Sequence, residues 1–156
     1  MTLNKEMASA KEQLSAYLKA KKMRQTPERT EILDFIYSQS SIVDVEDIYN
    51  AMHDRFHVCL PTIYSTLDIL QKCNLVTKHT FNSKTVCYSK VVSGIGHYFR
   101  ICLQCGTYKE FTDLKLDKSV SIRTFSAFTV FHHSLYLYGM CKKCSSKTKK
   151  KIIIVR

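Results

Sequence analysis

Apolar residues recur at helical spacing from the start of the chain. Leu3, Met7, Ala10, Leu14 and Leu18 lie four, three, four and four residues apart, which puts them on one face of a first helix. Thr26-Pro27 predicts a second helix, with threonine as cap and proline in the first turn, where its missing N–H costs nothing. Its inward stripe is Ile32, Leu33 and Ile36, and the serine cluster at 38–41 ends it. Asp44 predicts the cap of a third helix facing inward through Val45, Ile48, Tyr49 and Met52. A fourth begins at Leu60-Pro61-Thr62; Ile63, Leu67 and Leu70 turn to the core, and Thr62, Tyr64, Ser65 and Asp68 turn outward.

The period then changes from helical to alternating. Runs over 75–81 and 85–89, joined by Asn82-Ser83, predict a hairpin. Helices followed by a two-stranded ribbon make a winged helix-turn-helix, whose fourth helix is the recognition helix. Ser93-Gly94-Ile95-Gly96 forms a joint. Beyond it the pattern predicts strands over 98–103 and 107–111, a helix over 113–127 and an aromatic, β-rich central strand over 128–138. The expected class is α+β. A winged helix-turn-helix domain covers 1–90, a hinge 91–96, a small α/β domain 97–144 and a basic tail 145–156.

The chemistry concentrates in Cys102-Leu-Gln-Cys105-Gly and Cys141-Lys-Lys-Cys144. Two such pairs have the make-up of a tetrahedral four-thiolate zinc site, one structural Zn²⁺ per chain. Gly106 suits the turn, because it reaches positive φ and leaves backbone N–H groups facing sulfur. Two disulfides or unrelated thiols are the competing reading. A redox dithiol is disfavoured, since no βαβ pattern surrounds either pair. A filled four-thiolate shell leaves no open position for catalytic water, and no nucleophile triad or carboxylate pair is evident, which argues against an enzyme.

Among 156 residues, 45% are hydrophobic, with 2 Pro and 4 Gly, as in a folded globular chain. The charged start carries no run suited to a secretory signal. No stretch approaches the roughly 20 apolar residues of a membrane helix, so no membrane partner is expected. The expected compartment is the reducing cytoplasm, where an odd count of 7 Cys favours thiolate chemistry. The net charge of +11 points to a polyanion, but residues 1–90 hold 12 Lys/Arg against 10 Asp/Glu while 91–156 hold 12 against 3. Much of the excess sits at Lys142, Lys143, Lys147, Lys149, Lys150, Lys151 and Arg156. A run of that kind is usually a solvated end, so charge alone supports nucleic-acid binding weakly.

Arg24-Gln-Thr-Pro-Glu-Arg, Val45-Glu-Asp-Ile-Tyr, Leu60-Pro-Thr-Ile-Tyr, Leu75-Val-Thr-Lys-His, Ile101-Cys-Leu-Gln-Cys-Gly and His133-Ser-Leu-Tyr-Leu-Tyr-Gly occur in that order. On these pieces the chain resembles the ferric uptake regulator family of bacterial metal-responsive repressors, from about residue 14 to 144. The resemblance implies a winged helix joined to a dimerisation domain, and a homodimer binding double-stranded DNA at an inverted repeat. It also implies structural zinc on the four cysteines. Tyr64 falls at the recognition-helix tyrosine that touches bases, with Thr62 beside it. Arg24 falls at a basic position approaching the DNA backbone or minor groove. Ser65 stands where the family usually has arginine, and so lacks the five-donor fork that reads guanine or clamps phosphate.

The same resemblance implies a sensing site of His, Asp and Glu ligands, which this chain departs from. Ile42 occupies the position of a histidine before the third helix, Tyr88 that of an acidic ligand at the end of the wing, and Phe99 the second histidine of a His-x-His. His97 and Glu110 remain. At a further inter-strand site Asp117 and His133 remain, while Gly96 and Tyr98 replace the expected histidine and acidic partner; His132 and Cys87 are new donors nearby. A rebuilt site from His97, Glu110, Asp117, His133 and Cys87 would suit a second divalent metal or haem. The competing reading is packed or solvated residues without metal. Two functions follow: a DNA-binding regulator with a rewired sensing site, or a metal- or haem-binding protein that kept the fold and lost operator recognition.

Overall fold

The computed structural model describes residues 2–82 and 85–147. They form two compact units, Met1–Ser93 and Gly94–Arg156. The first contains α1 (Thr2–Ala20), α2 (Pro27–Ser38), α3 (Val45–Phe56), α4 (Leu60–Lys72), β1 (Val76–Thr80) and β2 (Val86–Lys90). The second contains β3 (His97–Cys102), β4 (Tyr108–Phe111), α5 (Leu114–Ser121), β5 (Ser134–Gly139) and α6 (Lys142–Lys147).

The helical stripes of the first unit meet in one core. Leu14, Leu18, Ile32, Leu33, Ile36, Ile48, Met52, Ile63, Leu67 and Leu70 are buried together with Leu75, Val76 and Tyr88 of the ribbon. Each such aliphatic side chain contributes about 1.5–3 kcal/mol on leaving water. Asp44 starts α3 through a capping box: its carboxylate accepts from the Asp47 amide at 2.8 Å, and the Asp47 carboxylate accepts from the Asp44 amide at 3.0 Å. Thr26 does cap α2, but its hydroxyl makes no capping bond. The buried Tyr37 hydroxyl donates to the Leu75 carbonyl at 3.1 Å and so ties α2 to the start of the ribbon. Burial pushes that phenol up to about 12.

β1 and β2 pair antiparallel, from Val76 opposite Lys90 to Thr80 opposite Val86. Asn82 accepts from the Thr85 amide at 2.7 Å in the connecting turn, whose Ser83 lies outside the described residues. A feature without sequence periodicity completes the wing. Val43 and Tyr88 exchange both backbone hydrogen bonds, at 2.9 and 2.7 Å, as an isolated antiparallel bridge.

The second unit is a three-stranded sheet in the order β4-β3-β5. β3 runs antiparallel to β4 and parallel to β5. Here the expectation of a central strand over 128–138 is corrected: the centre is β3, and the later strand is only Ser134–Gly139, at an edge. Phe128 and Phe131 are 68% and 66% exposed and lie outside the three strands of that sheet, Phe128 being joined to Phe125 by an isolated bridge. The helix expected over 113–127 is limited to Leu114–Ser121, capped by the Asp113 carboxylate. Of the expected tail, residues up to Lys147 belong to α6, and Lys149, Lys150, Lys151 and Arg156 lie outside the described residues. Among the described residues no helix is long and apolar enough to cross a membrane.

The core makes a direct prediction. Leu67, 1% exposed at the centre of the helical cluster, should cost about 2–5 kcal/mol when truncated to alanine. Urea unfolding of Leu67→Ala measures this; a loss under about 1 kcal/mol would mean that the helices do not pack as described.

Candidate functional site

Helix α4 presents one face to the core and one to solvent. Ile63, Thr66, Leu67, Ile69 and Leu70 are buried, while Tyr64 is 54% exposed and Ser65 and Asp68 are exposed. Thr62 is half-buried, and its hydroxyl lies 3.2 Å from the Cys59 sulfur at the helix start. That bond lowers the pKa of the exposed Cys59 thiol. The Ser65 hydroxyl turns back to donate to the Thr62 carbonyl at 3.0 Å. Arg24 is exposed in the segment before α2, where its carbonyl accepts from the Arg29 guanidinium.

Two features of this face were not evident from the sequence. Asp68 is paired with Lys72 at 2.6 Å across one helical turn, so its carboxylate is not a bare negative charge. The wing adds the exposed Lys78, which lines a groove of 610 Å³ with Tyr64, Tyr88, Asp44 and Glu46. An exposed lysine on a ribbon beside an amphipathic helix was the available signal.

The four cysteines are brought to one point. Cys102 ends β3, Cys105 lies in the turn that follows, Cys141 follows β5 and Cys144 lies in α6. Gly106 takes φ +71° in that turn, and the Cys102 carbonyl accepts from its amide at 2.9 Å. One sulfur from each cysteine lies within 4.8 Å of the other three. Zinc–sulfur bonds of about 2.3 Å set tetrahedral sulfurs about 3.8 Å apart, and Cys105 and Cys141 stand 3.8 Å apart. The donor set therefore fits zinc in number, type and spacing.

The sulfurs are electrostatically unequal. The Cys141 amide, 3.3 Å from the Cys102 sulfur, helped by the Cys105 amide, brings the Cys102 thiol down to about 6. Thr107 lowers Cys105, and Cys144, hydrogen-bonded first to Cys141, is pushed up to about 12. Thiols this close cannot all ionise unless a cation joins them.

The remaining sensing candidates are divided by the pleat of β3. On one face His97 Nδ1 lies 3.0 Å from the Glu110 carboxylate. On the other, the Asp117 carboxylate accepts from the Gly96 amide at 2.8 Å and from the Tyr98 hydroxyl at 2.7 Å, with His133 Nε2 at 3.5 Å. Successive strand residues point to opposite faces, so one ion cannot collect donors from both. Cys87 is buried in β2 of the first unit. Among the described residues the four cysteines are the only group of three or more such donors placed to hold an ion. Ile42 and Tyr88, at two expected ligand positions, are drawn together by the Val43–Tyr88 bridge. Burial raises the Tyr88 phenol and so keeps it protonated.

Burial raises Tyr98 far above an ordinary phenol, and its bond to Asp117 adds to this. Burial also works against ionisation of Asp117, but the Tyr98 hydroxyl, the Gly96 amide and His133 outweigh it and lower its pKa. His132 Nδ1 is buried with no hydrogen-bond partner among the described residues, and burial lowers its pKa, as do the charges of His97 and His133.

The ferric uptake regulator family model matches residues 20–138. The peroxide operon regulator of Bacillus subtilis (strain 168) is 32% identical over 132 residues, 83% of this chain and 90% of that protein. The ferric uptake regulator of Pseudomonas aeruginosa, solved with manganese, gives a TM-score of 0.63 at 26% identity over 82% of this chain and 97% of its own. That of Helicobacter pylori, described as having three functional metal binding sites, gives 0.67 at 20% identity over 89% and 93%. This last likeness is one of fold.

The cysteine cluster yields a prediction. Metal analysis should find about one zinc per chain in the purified protein and close to none in Cys144→Ser, since three thiolates hold a structural ion poorly. Full zinc in that variant would show that the ion sits elsewhere.

Proposed function

The chain belongs to the ferric uptake regulator family, and we propose that it is a homodimeric transcription repressor that binds an inverted-repeat operator through α4. The observation that carries this reading is the exposed Tyr64 on a helix whose opposite face is locked into the core. A recognition helix needs that division, so that base edges meet side chains on a rigid support. Tyr64 and Thr62 would face the major groove, Lys78 a phosphate, and Arg24 the backbone or minor groove. Ser65, bonded to its own helix, would contribute little to readout.

Dimerisation would use the second unit. β5 has one unpaired edge among the described strands, and Phe125, Phe128, Phe131, Leu137 and Tyr138 are exposed. An apolar surface beside an open strand edge needs a partner, and a second copy supplies the two-fold symmetry that an inverted repeat requires. Zinc on Cys102, Cys105, Cys141 and Cys144 would join the ends of β3 and β5 to α6 and hold that surface in shape. It supplies no step of its own beyond cross-linking.

A second reading, a metal-binding protein that has lost operator recognition, draws on Ser65 and on the acidic Asp44 and Glu46 beside Tyr64. Titration of genomic fragments at moderate salt separates the two. Retention of an inverted repeat, weakened roughly tenfold by Tyr64→Ala, supports the repressor. Sequence-blind binding that salt abolishes, equal in both proteins, would refute it. Cys102→Ser should lose dimer and operator binding together; a normal dimer that binds DNA would refute the part given to zinc.

A further inference from the structure

Tyr98, Asp117, His133 and Gly96 occupy the four positions at which the family resemblance places an inter-strand metal site. They do not fit an ion. The phenol of Tyr98 is 1% exposed and stands between the other two side chains, 2.7 Å from Asp117 Oδ1 and 2.8 Å from His133 Nε2. A phenol has one proton, and here it is donated to Asp117. The contact with His133 must then run the other way, with Nε2–H donating to the phenol oxygen. The imidazole nitrogen facing the site thus carries a proton rather than a lone pair. The Asp117 oxygen that faces it already accepts from the Tyr98 hydroxyl and the Gly96 amide.

Gly96 completes the arrangement. A Cβ at this position would lie 2.3 Å from His133 Nε2 and 2.7 Å from the Tyr98 hydroxyl oxygen. Beside the Tyr98 phenol, any side chain there, a histidine included, would force the ring or the phenol to shift. Gly96 and Tyr98 are therefore one change in two parts: the tyrosine brings a hydroxyl to the centre, and the glycine clears the space around it.

We propose that this cluster is a metal-free latch, in which the Tyr98 hydroxyl and the His133 N–H take the place of a divalent cation. The latch holds three parts of the unit together without an ion: β3 through Tyr98, α5 through Asp117 and the approach to β5 through His133. Tyr98 also packs against the Phe111 ring at 5.6 Å, which anchors the phenol from the β4 side. The shape that a bound effector metal would impose is built in, and this position no longer reports metal availability.

The test uses the full-length protein and needs no DNA, so its outcome is separate from that of the repressor reading. Zinc-loaded wild type is titrated with Co(II), followed by absorption and by metal analysis after desalting, and melted with and without the ion. The latch predicts no tightly held second equivalent and an unchanged Tm. Tyr98→Phe keeps the ring and removes the proton; it should bind no extra metal and melt roughly 5 °C lower. Gly96→His with Tyr98→Asp should take up a second equivalent and gain Tm from it. The latch is overturned by a second equivalent in wild type that His133→Ala removes, or by Tyr98→Phe melting with wild type. A folded double variant that ignores Co(II) would equally overturn it.

Discussion

Four thiols drawn within 4.8 Å of one another repel as they ionise, and the second unit has little else to resist that repulsion. Its buried residues among those described are Gly96, Tyr98, Phe99, Ile101 and Cys102, all in or next to β3. α5 buries none of its side chains fully. One strand with an aromatic and aliphatic face makes a thin core for a unit of this size. A metal on the four cysteines would cross-link the end of β3 to the segment after β5 and to α6 and so offset that deficit, as in small domains whose metal energy is folding energy. The first unit has no such need, because four helices and a ribbon share one apolar cluster.

Beside the cysteine cluster, the other positions at which the family resemblance expects ligands carry a different chemistry. Ile42, Tyr88 and Phe99 put apolar or protonated aromatic groups where ligands would stand, and the first two lie beside a backbone bridge. Phe99 is fully buried and stacks on Tyr136 with ring centroids 5.7 Å apart. Tyr98 brings a hydroxyl between Asp117 and His133. What packing and hydrogen bonds supply here is structure without an ion. His97 Nδ1 and the Glu110 carboxylate keep each other as partners at 3.0 Å.

Much of this was legible in the chain. Stripes such as Ile63, Leu67 and Leu70 fixed α4 and its exposed face, and the cysteine spacing fixed the cluster. Both signals are local: a helical period or a tight turn is written within a dozen residues. What escaped depended on distant partners or on a lack of them. The bridge between Val43 and Tyr88 is one residue long and leaves no period. The aromatic run over 128–138 looked like a central strand by composition, yet only its end, from Ser134, pairs with β3, and it does so at an edge of the described sheet. Tyr98 read as a lost ligand because its partners lie 19 and 35 residues away. The clash that a side chain at Gly96 would cause is visible only in three dimensions.

Among the described residues the donors fit one cross-linking metal, at the four cysteines, and no sensing metal at the expected sites. The most direct measurement is affinity for the inverted-repeat operator, before and after a mild chelator strips weakly held divalent ions but leaves the cysteine-bound zinc in place. The Kd should be the same in both states, with none of the large gain that Mn(II) or Fe(II) gives a metal-switched repressor. A loss of affinity on stripping that either ion restores would contradict it.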